Sequence, residues 1–193
     1  MWHIVLILIV LIVVFRPKYK SPEVIRGVIT DEECEYIKTV SKEKLKPSTI
    51  GDEFVEDQEI RKSETAWLDP DDHRIQSIIA KCVDDVTMCE NLQVVRYTPG
   101  GFFKPHQDAD IEHSNRRKHT FIFALNDEYE GGETYFPILD KTYRLRKGDV
   151  LSFDTLDSWG RVPYKAMHGG APVTRGEKWI ANLWVRNEKY ISM

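Results

Sequence analysis

Cysteine is scarce in this chain of 193 residues. Cys34, Cys82 and Cys89 are too few and too irregularly spaced for a disulfide framework or a zinc site of paired C-x-x-C type. Two readings stay open for Cys82 and Cys89: a bridge, if the domain sits in an oxidising compartment, or two small, partly buried hydrophobes at the end of a helix. Positive charge is not in excess either. Lys and Arg number 27 against 31 Asp and Glu, a formal net charge of -4. The chain therefore lacks the basic field that draws proteins to nucleic acid, and no nucleic-acid partner is expected. Internal repeats and low-complexity stretches are missing. The Gly131-Gly132 pair is not followed by the lysine and serine of a phosphate-binding loop, so it reads as a hairpin turn.

One long apolar run is present, at the start. Ile4 to Phe15 is uninterrupted, Trp2 extends it, and Arg16, Lys18 and Lys20 close it. No positive region precedes it and no small-residue cleavage site follows, so a cleaved secretory signal is not indicated. As a helix it falls somewhat short of a bilayer core of about 30 Å, so it spans only with thinning or help from its flanks. The expectation is an uncleaved, single-pass N-terminal membrane anchor with its basic flank over residues 1–20, followed by one domain over residues 21–193. A buried N-terminal strand is the alternative. The basic cluster places the following domain on the cytoplasmic side by the positive-inside rule.

The remaining chain has enough apolar residues, 41% overall, for one enzyme-sized core. Thr30-Asp-Glu-Glu33 reads as a capping box opening a helix to about Leu45, with Cys34, Ile37 and Val40 on one face and Pro47 as its stop. Gly51 to Gln58 is acidic and loop-like, and Arg61 to Leu68 suits a strand. Asp69-Pro70 marks a second helix carrying Ile75, Ile78, Ile79, Cys82, Val83 and Val86 at helical spacing. From Asn91 the pattern changes to short apolar runs separated by glycine turns: Leu92–Tyr97, Thr120–Leu125, Glu133–Pro137, Val150–Phe153 and Lys178–Val185. The fold class this implies is α+β, a double-stranded β-helix or jelly roll with N-terminal helices packed on one side.

Chemistry concentrates in three places. In His106-Gln107-Asp108 an extended backbone puts imidazole and carboxylate on one face. That pair alone is weak evidence, and a solvated turn would explain it as well. His168, far off in sequence, supplies the third ligand of a 2-His-1-carboxylate facial triad, a donor set that suits Fe(II) and leaves positions open for a bidentate 2-oxoacid and dioxygen. Lys178 shares a strand face with Ile180, Asn182 and Trp184. An inward lysine is costly without an anion, and the distal carboxylate of 2-oxoglutarate would meet it; snorkelling to the rim is the competing account. His113 and His119 flank Arg116-Arg117-Lys118 in a polar stretch that reads as a mobile loop over the site.

Taken together these residues make the chain resemble the prolyl 4-hydroxylase branch of the 2-oxoglutarate oxygenases, from about Gly27 to Arg186. The stations that carry the likeness are Thr30-Asp-Glu-Glu-Cys34, Leu45-Lys-Pro-Ser-Thr49, Ile60-Arg-Lys-Ser-Glu-Thr-Ala-Trp67, Leu92-Gln-Val-Val-Arg-Tyr97, His106-x-Asp108, Gly131-Gly-Glu-Thr-Tyr-Phe-Pro137, Lys147-Gly-Asp149 and His168 through Trp184. The resemblance implies His106, Asp108 and His168 as iron ligands, and Lys178, Tyr97 and Thr120 as cosubstrate residues. It implies Arg61 and Trp184 as walls of a peptide groove, although a surface ion pair for Arg61 and plain core for Trp184 remain alternatives. It also implies Fe(II), 2-oxoglutarate and L-ascorbate as cofactors, and a proline-containing peptide or protein as substrate, hydroxylated to 4-hydroxyproline with release of succinate and carbon dioxide. The same iron chemistry on another side chain, a small molecule or a nucleobase is the alternative. An endoplasmic reticulum membrane is the location the family suggests, with the side left open against the basic cluster. Phe103 and Ala171 depart from the tyrosine and cysteine common in the family, and no separate peptide-binding domain of the collagen-modifying type is visible.

Overall fold

The structure is a computed structural model, and it describes residues 16–50 and 55–190. The first helix, α1 (Asp31–Ser41), begins where the capping box predicts. Thr30 Oγ1 accepts from the Glu33 amide at 3.2 Å and the Glu33 carboxylate accepts from the Thr30 amide at 2.7 Å. Two of the four amides that a helix start leaves unpaired are thereby satisfied. Cys34, Ile37 and Ser41 form its buried face, and a single 3-10 turn, Lys42–Lys44, carries it to the predicted end.

The second helix, α2 (His73–Ile79), is shorter than its apolar spacing predicts. Asp69 accepts from the Asp71 amide and closes a turn, so the cap falls to Asp72, whose carboxylate accepts from the Arg74 and Ile75 amides. At the other end Asp85 caps a separate 3-10 turn, Val86–Met88, and ends the continuity. Cys82, Val83 and Val86 still pack on the core, so their spacing recorded burial and not an unbroken helix. Cys34, Cys82 and Cys89 are all free thiols.

The strands are β1 (Glu23–Ile25), β2 (Lys46–Pro47), β3 (Arg61–Lys62), β4 (Glu64–Trp67), β5 (Gln93–Tyr97), β6 (Phe102–His106), β7 (Arg117–Ala124), β8 (Tyr129–Gly131), β9 (Thr134–Phe136), β10 (Lys141–Tyr143), β11 (Val150–Asp154), β12 (His168–Gly170), β13 (Val173–Gly176) and β14 (Lys178–Arg186). All pairings are antiparallel. They make a seven-stranded sheet in the order β1-β11-β7-β14-β5-β4-β2, a five-stranded sheet in the order β10-β9-β12-β6-β3, and a small β13-β8 pair. Among the described residues, this β-rich architecture with two short α-helices is consistent with the expected jelly roll.

Strand alternation sorts the large sheet into two faces. Trp179, Ala181, Leu183 and Val185 of β14, with Val94, Phe121 and Phe123, pack toward the helices. Ile180, Val95, Tyr97, Ile122 and Ala124 point the other way and meet Phe136, Tyr129 and Val173 of the opposing strands. The second face is the one that carries the site. At the sheet's edge the Lys147-Gly148-Asp149 turn needs its glycine: φ is +83°, and a Cβ would lie 2.5 Å from the Ile29 carbonyl oxygen. Asp149 then accepts from the Gly27 and Arg146 amides and pairs with Arg26, tying the start of the domain to β11.

The expected membrane anchor is withdrawn. Among the described residues no helix is long and apolar enough to cross a membrane. The apolar run itself lies outside the described residues; its twelve residues from Ile4 to Phe15 would reach only about 18 Å as a helix, against about 30 Å of hydrocarbon. The endoplasmic reticulum membrane location built on that anchor goes with it. What is described of the basic flank is not a free tether: the Ser158 amide donates to the Lys18 carbonyl, and the Lys18 amide donates to Ser158 Oγ.

Replacing Thr30 with alanine removes the reciprocal cap, and the expected loss is about 1 kcal/mol of unfolding free energy in urea titration. No change would mean that packing alone holds the start of α1.

Candidate metal centre

The site is built where two strands meet. His106 ends β6, His168 begins β12, and the two are direct partners in the register. Asp108 follows two residues after His106 and turns into the same space. His106 Nε2 lies 3.5 Å from Asp108 Oδ1, and His168 Nε2 lies 3.6 Å from Asp108 Oδ2. One ligand atom from each of the three lies within 4.8 Å of the others. Asp108 and His168 are buried, while His106 is half-exposed at the mouth.

Hydrogen bonds on the far side of each ring orient these groups. His106 Nδ1 faces the Lys104 carbonyl at 2.9 Å and His168 Nδ1 faces the Ala166 carbonyl at 3.1 Å. A carbonyl can only accept, so each Nδ1 carries its proton and, in the neutral ring, each Nε2 presents a lone pair inward. Thr120 Oγ1 donates to Asp108 Oδ2 at 2.7 Å and holds that carboxylate in place. Burial works to raise the Asp108 carboxyl, but the His168 and His106 imidazoles outweigh it and keep the group ionised well below the usual range. Burial pushes His168 down to about 4, so it is neutral at physiological pH. With each neutral ring protonated at Nδ1, two imidazole lone pairs and a carboxylate can converge on one point, a donor set that fits a divalent cation of the Fe(II) class.

Aromatic rings dry the rear of the site. Phe153 meets the His168 ring edge-on at 4.7 Å and Phe136 stacks on it at 5.4 Å between centroids. Phe103 stacks on His106 at 3.7 Å, and the Arg61 guanidinium lies 4.7 Å over the other partner of that stack, the Phe103 ring. The residue that departs from the family's tyrosine is therefore a packing plate between a ligand and a cation.

Lys178 is 4% exposed on the inner face of β14, opposite Tyr97 on β5. Its Nζ sits 5.3 Å from the Tyr97 ring centroid, and among the described residues it makes no hydrogen bond or close ion pair. Burial brings its pKa down to about 8, with Glu133 partly opposing and Arg144 adding to the drop. This is not a snorkelling lysine. Gly132 closes over its stem: φ is +69°, and a Cβ there would approach Val173 to 2.9 Å and the Lys178 Cδ to 3.2 Å. The hairpin glycine of the sequence is also a wall of the pocket. Tyr97 is buried, which raises its phenol above the ordinary value and leaves it a protonated donor.

Arg61 is buried too, and it is not the surface ion-pair partner that composition allowed. Its nitrogens reach Ser63 Oγ at 3.0 Å, Thr65 Oγ1 at 3.2 Å and the Thr49 carbonyl at 3.4 Å. Trp184 lies beside Trp67, 6.0 Å between centroids, with its buried Nε1 lacking a normal hydrogen-bond partner yet close enough to Asp108 to help lower its pKa. His119, expected in a mobile loop, sits in β7, where it bonds Asp154 at 2.7 Å and Ser152 at 2.8 Å. His113 stays in the polar connection and pairs with Asp110. Sequence reasoning missed Glu90, Arg117 and Arg186, whose buried ion cluster underlies Asp108; single charged residues at strand ends carry no periodic signal.

A family model described as the 2OG-Fe(II) oxygenase superfamily matches residues 92–186. Prolyl 4-hydroxylase 1 of Arabidopsis thaliana is 31% identical over 198 residues, covering 87% of this chain and 70% of the relative. The human prolyl 4-hydroxylase subunit alpha-1 is 30% identical over 188 residues, 87% of this chain but only 35% of that subunit. Among solved structures, the viral collagen prolyl hydroxylase of Paramecium bursaria Chlorella virus-1, in its 2OG complex, superposes with a TM-score of 0.71 at 30% identity, covering 86% of this chain and 96% of that one. The chain is thus a 2-oxoglutarate-dependent dioxygenase. The chain belongs to the prolyl 4-hydroxylase family of 2OG-Fe(II) oxygenases.

Lys178 is kept at a cost to stability. Its proton is held in both folded and unfolded protein below about pH 8, so the burial penalty is fully present there and disappears as the pH rises toward the ordinary 10.5. Lys178→Met is expected to raise the unfolding free energy at pH 7 by about 1–3 kcal/mol in urea titration. A loss of stability would show that Nζ is already satisfied.

Proposed function

We propose that residues 21–193 form an Fe(II)- and 2-oxoglutarate-dependent dioxygenase that hydroxylates prolyl residues of a peptide or protein to 4-hydroxyproline. The observation that carries this is the convergence of two imidazoles and a carboxylate, in a chain of the prolyl 4-hydroxylase family that also buries a lysine on β14 without a close carboxylate partner among the described residues. His106, Asp108 and His168 would hold the iron. Bound there, iron and 2-oxoglutarate would supply the oxidising power, with dioxygen consumed, succinate and carbon dioxide released and one oxygen atom inserted into the prolyl C–H bond.

The chain's own residues do the rest. Lys178 meets the distal carboxylate of 2-oxoglutarate, turning a costly buried cation into a paired one, and the Tyr97 phenol donates beside it. Thr120, whose hydroxyl is given to Asp108, serves the cosubstrate side through the carboxylate it orients. Phe103, Phe136 and Phe153 exclude water from the imidazoles. Arg61 and Trp184, with Trp67 beside it, line the approach; flat rings and a buried guanidinium suit the rigid, carbonyl-rich face of a proline-containing segment. L-ascorbate would be the reductant that keeps the iron ferrous.

Succinate release with Fe(II), 2-oxoglutarate and a proline-rich peptide is the test. His106→Ala is expected to abolish it and Lys178→Ala to raise the 2-oxoglutarate KM by at least about 100-fold. Above about pH 8 the wild-type KM should climb roughly tenfold per pH unit as Lys178 loses its proton. Turnover with a small molecule or another side chain, and none with proline peptides, would overturn the substrate; a KM flat to pH 10 would overturn the role of Lys178.

A further inference from the structure

Glu90 is a buried carboxylate gripped by two guanidinium groups from neighbouring strands. Arg117, at the start of β7, donates to it through Nε at 2.6 Å and Nη2 at 2.7 Å, and Arg186, at the end of β14, donates through Nε at 2.8 Å. The Glu90 amide also donates to the Trp184 carbonyl at 2.9 Å. Each arginine then reaches out to the segment that carries Asp108. Arg117 Nη1 approaches the Asp108 carbonyl at 3.5 Å, and its guanidinium lies 3.9 Å over the Trp184 ring. Arg186 Nη2 donates to Asp110 at 2.8 Å, and Nη1 donates to the Asn115 carbonyl.

We infer that Glu90, Arg117 and Arg186 form a clamp that positions Asp108 for metal binding, an inference that rests on the ligand assignment above. None of the three touches the ligand atoms, so they are positioning residues. His106 and His168 are fixed by strand pairing, but Asp108 lies beyond the end of β6, where no ladder holds the backbone. The clamp substitutes for that ladder at both ends of residues 108–115. Two positive and two negative groups, with Asp110 as the second carboxylate, balance one another, so the cluster is held without drawing on the charge of Asp108 itself. Breaking a buried pair leaves the surviving charges unmatched, which would let the segment and Trp184 shift. Supporting groups of this kind typically change metal affinity by about 10–100-fold when altered.

Anaerobic calorimetric titration of Mn(II), a redox-inert stand-in for Fe(II), tests this without turnover. Wild type, His168→Ala, Glu90→Gln and Arg117→Lys are compared, with near-UV circular dichroism on each; the 2-oxoglutarate KM is assayed separately with Fe(II) on wild type, Glu90→Gln and Arg117→Lys. Arg117→Lys keeps the charge facing Glu90 but loses the fork and the stack on Trp184. The clamp predicts Mn(II) affinity lowered by about 10–100-fold in Glu90→Gln and by a smaller factor in Arg117→Lys, in proteins with wild-type near-UV spectra. The 2-oxoglutarate KM at saturating metal should move less than twofold. Unchanged Mn(II) affinity in either natively folded variant would overturn the clamp. A wild type that binds no Mn(II), or binds it equally without His168, would refute the ligand assignment and the clamp with it.

Discussion

Everything in this molecule turns on three electron-pair donors being held face to face without a proton to share. The pairing of β6 with β12 brings His106 and His168 opposite each other, and backbone carbonyls on their outer sides fix both lone pairs inward. An ionised carboxylate buried between them is tolerable only because something positive belongs there. Fold and chemistry are linked at that point: the strand register sets the separation of the two imidazoles, and the donor set they make with Asp108 fits a divalent cation.

The second set of buried charges follows the same logic. Lys178 and Arg61 are cations inside an aromatic enclosure, and among the described residues neither has a close carboxylate partner. A sheet that only needed stability would carry apolar residues there. On the proposed function, these are the positions where anionic or carbonyl-bearing groups would be received, with stability given up for that role. Glu90, Arg117 and Arg186 are the contrasting case, a cluster whose charges are matched internally and whose effect is to hold other residues still.

Much of this was legible in the residues themselves. The capping box at Thr30 placed α1, alternation on β14 put Lys178, Asn182 and Trp184 on one face, and the triad's spacing pointed to iron before any likeness to a family entered. What failed did so for physical reasons. The apolar spacing through Val86 reported burial, but capping aspartates at 72 and 85 broke the helix that spacing alone implied. His119 lay among charged neighbours and read as loop, yet Asp154 and Ser152 across the ladder satisfy both of its nitrogens. The N-terminal run read as a membrane anchor because thinning and flanking residues were expected to make up its short length, and no helix among the described residues supports it. Contacts such as Thr120 to Asp108, or Glu90 to two arginines, join residues that only the fold makes neighbours, and no local pattern announces them.

The most direct measurement is the anomalous scattering of Mn(II) in crystals grown with 2-oxoglutarate. The account predicts one ion per chain at bonding distance from His106 Nε2, the Asp108 carboxylate and His168 Nε2, with the distal 2-oxoglutarate carboxylate on Lys178. An ion bound elsewhere, or bound without one of those three side chains, would contradict it.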